Sequence, residues 1–118
     1  MASTKKYDLE DRTLKFAQNI RDFVKLLPKT ISNREDISQL VRSSGSVGAN
    51  YIEANESLGK KDFLMRVKIS RKEAKESVYW LQLIDVANDK KSDIMRGNLV
   101  QEAKELMMIL SSILRNSV

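Results

Sequence analysis

Few residues in this chain could do chemistry, and most of them are carboxylates and lysines. Asn50, Glu53 and Glu56 recur at every third position, as do Glu73 and Glu76. On a helix such spacing stacks side chains along one face. Brought together, these carboxylates could serve general acid–base hydrolysis or hold a di-metal centre inside a helical bundle. The di-metal reading requires a Glu-x-x-His pair, and the chain has no histidine. It has no cysteine either, which excludes disulfides, thiolate nucleophiles and Cys/His zinc sites. The competing reading is ion pairing with Arg42, Arg66 or Arg71, within or between subunits, and it is adopted here. No catalytic residue, metal site or cofactor is expected, and the chain is not read as an enzyme.

The basic residues are unevenly placed. The formal net charge of the 118 residues is +5. Between Lys60 and Lys75 seven basic residues face only Asp62 and Glu73, an excess of five that equals the whole net charge. At about 100° per residue, Lys61, Lys68, Lys72 and Lys75 fall on one side of a helix. Arg71 lies beside them and Tyr79 follows one turn later. Such a stripe could contact phosphates, with Tyr79 stacking on a base, and its partner would then be RNA or another nucleic acid. It could equally be a solvated face that keeps the protein dissolved. Both readings stand at this point.

The elements that must position these residues are helices. The composition is 42% apolar and 31% charged, with one proline and four glycines. That suits an all-α protein, an antiparallel up-and-down four-helix bundle, better than a sandwich or barrel. A flexible tail is expected over 1–7 and a single domain over 8–118. The first helix spans about Asp8 to Leu27, with Leu9, Phe16, Ile20, Phe23, Val24 and Leu27 inward and Pro28 as its stop. The second opens on a capping box, Ser32 with Glu35, and runs to about Ser57. Its centre, Arg42 to Asn50, is rich in serine and glycine. Ile37, Val41, Gly48, Ile52 and Asn55 keep helical spacing through it. Close packing against a neighbouring helix explains this, with serine hydroxyls bonded one turn back. A phosphate-cradling glycine loop is rejected, since no strand precedes it and the Walker pattern is absent.

The third helix runs from about Lys61 to Ala87, with Phe63, Val67, Ser70, Ala74, Val78 and Leu81 on its core face. Asn88 to Lys91 form a loop, and Ser92 or Asp93 caps the fourth helix. There Leu99, Ala103, Leu106, Leu110 and Ile113 make a heptad seam. Val100, Met107 and Leu114 make a second apolar stripe beside it, which suggests packing against another subunit or a wide core face. Trp80, flanked by Ile69 and Ile84, is expected to be partly buried with its indole N–H bonded, at a subunit contact. No apolar run is long enough for a membrane span, and the polar start Met1 to Lys6 lacks a signal core, so a cytoplasmic address is expected.

Several separated blocks resemble one known family. They are Gln39 to Asn50, then Glu53-Ala54, Ser57, Lys60-Lys61-Asp62-Phe63, Lys72 to Ser77 and Tyr79-Trp80-Leu81. In this order and spacing they are similar to the bacterial 23S ribosomal RNA intervening-sequence proteins, over roughly residues 8–115. The resemblance implies a four-helix bundle assembled into a ring-like homopentamer. A distant relative is the accessory protein of diversity-generating retroelements, a basic pentamer that partners a reverse transcriptase and nucleic acid. The implied partners are therefore further copies of the chain, and RNA or a nucleic-acid-processing protein, with no membrane. The resemblance carries over no catalytic residue. Gly97, inside the fourth helix, departs from the pattern and is expected to shorten or bend it.

Overall fold

A computed structural model describes residues 5–117. The chain forms α1 (Lys5–Val24), α2 (Ile31–Asn55), α3 (Lys60–Leu83) and α4 (Lys90–Asn116), with no strand among the described residues. Residues 5–7, expected in a tail, belong to α1; residues 1–4 lie outside the described residues. Every inward residue expected for the first helix is buried, from Leu9 to Leu27. The regular helix nevertheless stops at Val24, short of Leu27. Leu26 N–H then donates to the Phe23 carbonyl (3.0 Å) and Leu27 N–H to that of Val24 (3.3 Å), a tightened last turn before Pro28.

α2 begins earlier than the capping box suggests. Thr30 is the N-cap, and its Oγ1 accepts from Asn33 N–H (3.2 Å). Its side chain thereby takes the role expected of Ser32. The helix then passes unbroken through Gly45 and Gly48. Ser43 Oγ donates to the Leu40 carbonyl (3.3 Å) and Ser44 Oγ to that of Val41 (3.2 Å), as the close-packing reading requires. The same small residues let α1 and α3 approach. Ser43 and Ser77 hydroxyls bond at 2.9 Å, and Ser70 Oγ donates to the Val47 carbonyl at 2.7 Å. The buried seam of α2 is Leu40, Ser44, Val47, Tyr51 and Ala54. Ile52, expected on the inner stripe, is 46% exposed. Tyr51 occupies the inward position next to it, so the apolar character of Ile52 misplaced the stripe by one residue.

Gly48 and Gly97 have opposite reasons for being tolerated. A Cβ on Gly48 would lie 2.8 Å from Thr13 Oγ1 and 3.1 Å from Thr13 Cβ, where α1 packs on α2. A Cβ on Gly97 would meet nothing within 4 Å, and α4 continues past it without shortening. Alanine removes glycine's backbone entropy cost in both places, about 0.5–1 kcal/mol. Gly97→Ala should therefore stabilise the fold by about that amount. Gly48→Ala should destabilise it by about 1–3 kcal/mol, because Thr13 is buried and β-branched and has little room to move. Urea denaturation of the two variants checks the pair; equal shifts of the same sign would contradict the packing account.

α3 ends at Leu83, four residues before the expected boundary. Ile84 leaves the helix with φ −59° and ψ 138°, and Ala87 and Asn88 take left-handed φ values of 55° and 59°. Asp89 caps α4, accepting from Ser92 N–H (3.0 Å) and Ser92 Oγ (2.7 Å). Ser92, expected as a cap, is thus the cap's partner. Each helix packs on its neighbour in sequence, and α1 closes on α4. The backbones of α1 and α3, and those of α2 and α4, do not approach each other in this way. Partner residues run in opposite directions. Along α2, Arg42, Ser43, Val47 and Asn50 meet Glu76, Ser77, Ser70 and Arg66.

Candidate nucleic-acid interface

The basic stripe of α3 does not stand alone on a convex surface. It forms one wall of a shallow groove against α4. Lys68, Arg71, Lys72 and Lys75 line it from α3, with Met107 and Ser111 from α4. Met107 and Ser111 continue into an adjoining depression lined by Lys104, Met108 and Arg115. Arg71 Nη1 donates to Ser111 Oγ (3.3 Å), which holds the guanidinium across the helix pair. Six cations therefore border one surface, and no carboxylate lines either depression.

Four carboxylates of α3 and α4 are paired with arginines of the other two helices. Arg42 of α2 bonds Glu73 (3.4 Å) and Glu76 of α3. Arg12 of α1 makes a two-pronged bond to Glu102 (2.7 and 2.8 Å) and a further one to Glu105 (2.7 Å) of α4. Two arginines from α1 and α2 thus engage the acidic flanks of α3 and α4. Among the described residues, none of the six groove cations takes part in an ion pair. The groove cations thus keep a net positive field, with Glu76 near Lys72 the acid closest to it in effect.

Local geometry favours the charged forms of Glu76 and Glu105. The Trp80 indole N–H donates to Glu76 Oε2 (3.0 Å). That bond, followed by Arg42 and nearby Lys72, holds the Glu76 carboxyl below its ordinary value. Glu105 is lowered by Gln101 and then Arg12, while the Arg12 guanidinium is raised chiefly by Glu102. A lowered folded value means the stabilisation is fully present above the ordinary glutamate value, about 4.3, and is lost as pH falls through the folded one. Trp80 is the only tryptophan, so its fluorescence reports on Glu76. An acid titration should show a Trp80 transition centred below about pH 4.3, and Arg42→Met should move it upward. A midpoint unmoved by that substitution would contradict the assigned contact.

Of the residues predicted for phosphate contact, the structure brings together Lys68, Arg71, Lys72 and Lys75. Lys61 is exposed on the same side of α3 but lies outside the groove lining. Tyr79 is 58% exposed, its ring edge-on to Trp80 with centroids 4.9 Å apart. Lys104 and Arg115 were not singled out in the sequence. They lie eleven residues apart, about three turns, and so share a face of α4.

Among the residues expected at a subunit contact, Ile69, Trp80, Val100 and Met107 are half-buried. Two expectations are corrected. Ile84 is 1% exposed and part of the core, because α3 ends before it and its helical-wheel position no longer applies. Leu114 is 9% exposed and also in the core, whereas Ile113, expected in the seam, is only partly buried. On an ideal wheel these two lie about equally far from the seam's centre, on opposite sides. Glu53 and Glu56 are exposed, and among the described residues no group of acidic side chains is arranged to hold a metal ion. No helix among the described residues is long and apolar enough to cross a membrane.

Comparison with known proteins agrees with this architecture. The sequence model for the 23S rRNA-intervening sequence protein family matches residues 5–112. A crystal structure from Bacteroides thetaiotaomicron VPI-5482, described as a protein with unknown function from the S23 ribosomal protein family, is similar with a TM-score of 0.81. It is 28% identical, and the match covers 95% of this chain and 99% of that one. No curated protein matches.

Proposed function

The chain belongs to the 23S rRNA-intervening sequence protein family, and from that premise and the geometry above we propose that it is a non-enzymatic assembly module that binds RNA through the α3/α4 groove. The observation that carries this reading is the segregation of charge: six cations border one groove that no carboxylate lines, while Glu73, Glu76, Glu102 and Glu105 of the same two helices are held by Arg42 and Arg12. Phosphate backbones are recognised by such fields with little sequence preference. Ultraviolet crosslinking to a bound RNA, followed by peptide mapping, should place adducts within residues 68–79 and 104–115. Adducts confined to α1 and α2 would refute the assignment.

In this reading the four helices form an antiparallel up-and-down bundle, which the opposed pairing of α2 with α3 supports. The bundle joins further copies of itself in a ring. The α1/α2 face supports self-association. Exposed Leu14 and Ile52 border a groove floored by Ala17, Gly45, Gly48 and Ala49, where a second copy could approach closely. That face also favours a second reading, a homo-oligomeric protein scaffold with no nucleic-acid role. Assembly that proceeds normally while no RNA crosslinks to α3 or α4 would favour the scaffold.

A further inference from the structure

The groove contains more than cations. Met107 and Ser111 run through both of its depressions, and Met108, 63% exposed, lies in the second beside Lys104 and Arg115. Thioethers placed between positive charges add nothing to phosphate contact. They are polarizable apolar surface that suits the face of an aromatic ring. A duplex keeps its base faces stacked inside and presents phosphate and sugar outward. A single strand presents both, with phosphates for the cations and unstacked bases for the methionines.

Dimensions point the same way. Packed helices lie about 8–10 Å apart, so the depression between the shoulders of α3 and α4 is narrow. From Lys104 to Arg115 it extends about 16 Å along α4. A single strand laid along the groove can turn its bases onto Met107 and the exposed Met108, whereas a duplex would offer them only sugar and phosphate. We infer that the groove takes single-stranded RNA, its six cations on the phosphates and Met107 and Met108 against base faces. This rests on the RNA-binding reading above and specifies its substrate. It also assigns Lys104, Arg115, Met107 and Met108 to the site.

The test compares a short unstructured RNA strand with the same strand annealed to its complement, by fluorescence anisotropy at matched salt. The single strand should bind about ten-fold or more tightly than the duplex. Met108→Ser, at an exposed position where folding is not at stake, should weaken the single strand about five-fold or more and leave the duplex unchanged. Lys104→Glu combined with Arg115→Glu should weaken both. Duplex binding as tight as the single strand, with no effect of Met108→Ser, would overturn the inference and leave the RNA-binding reading standing. Absence of binding to either RNA at low salt would overturn both.

Discussion

Asn33→Ala is expected to destabilise the protein by about 3–5 kcal/mol, the largest effect of any single substitution considered. Asn33 is fully buried. Its Nδ2 donates to the Pro28 carbonyl (3.0 Å) and the Asp85 carbonyl (2.9 Å), and its Oδ1 accepts from Asp85 N–H (3.0 Å). One amide thereby ties the α1–α2 connection to the α3–α4 connection, at the same end of the molecule. Removing it leaves two carbonyls and one N–H without partners, each costing about 1–3 kcal/mol where water cannot replace the lost bond. Since domains of this size are stable by only about 5–15 kcal/mol, the melting temperature should fall by roughly 10–20 °C. Asn33→Asp should fare no better than alanine. It keeps the shape but loses both donors and sets a carboxylate against two carbonyls. Tolerance of Asn33→Asp would show that volume, and not the hydrogen-bond pattern, is what the site requires.

The second large effect is on binding. Lys68→Glu, Lys72→Glu and Lys75→Glu together should weaken RNA binding by at least about 100-fold at low salt. Each reversal removes a phosphate contact and adds a repulsion, and a loss of only about 1 kcal/mol per site already gives that factor. All three lysines are exposed, so helicity and stability should stay near those of the parent. A control with the same change in net charge is Lys15→Glu, Lys90→Glu and Lys91→Glu, at exposed positions outside the groove. It should weaken binding far less. Equal losses in the two variants would mean that net charge, and not the groove, governs the interaction.

Periodicity made the helices legible, and the family blocks made the architecture legible. The apolar residues of α1's inward face could be read because they are large and regularly spaced, while Thr13, buried among them, is polar and gives no such signal. α2 was harder. Its seam passes through Ser44 and reaches Asn33 one turn beyond Ile37; neither polar residue marks an inward face by its type, whereas the apolar but exposed Ile52 does. The spacing 33, 37, 40, 44, 47, 51, 54 is regular once polar residues are admitted to it. The boundary of α3 was hidden because Ile84 and Val86 are apolar on either side of Asp85 and look like more helix, although they belong to a connection buried against the core.

The candidate site was half legible. Lys68, Lys72 and Lys75 are close enough in sequence to stand out. Lys104 and Arg115 become part of the same surface only when α4 packs on α3, and no local pattern announces that. The role of Arg12 was hidden for the same reason, whereas Arg42 is a candidate partner of Glu73 and Glu76 from the sequence and pairs with both. Arg12 lies 90 residues from Glu102, and Arg42 lies 34 residues from Glu76. Without those two contacts the acids of α3 and α4 would appear to cancel the lysines.

The most direct test of RNA binding through the α3/α4 groove is the affinity of the intact protein for a labelled single-stranded RNA across a series of salt concentrations. Saturable binding is expected, with log affinity falling linearly with log salt. For one groove with six cations engaged, the slope should be no steeper than about −4, and it should become shallower in the Lys104→Glu, Arg115→Glu variant. No binding at low salt, or an affinity indifferent to salt, would contradict it.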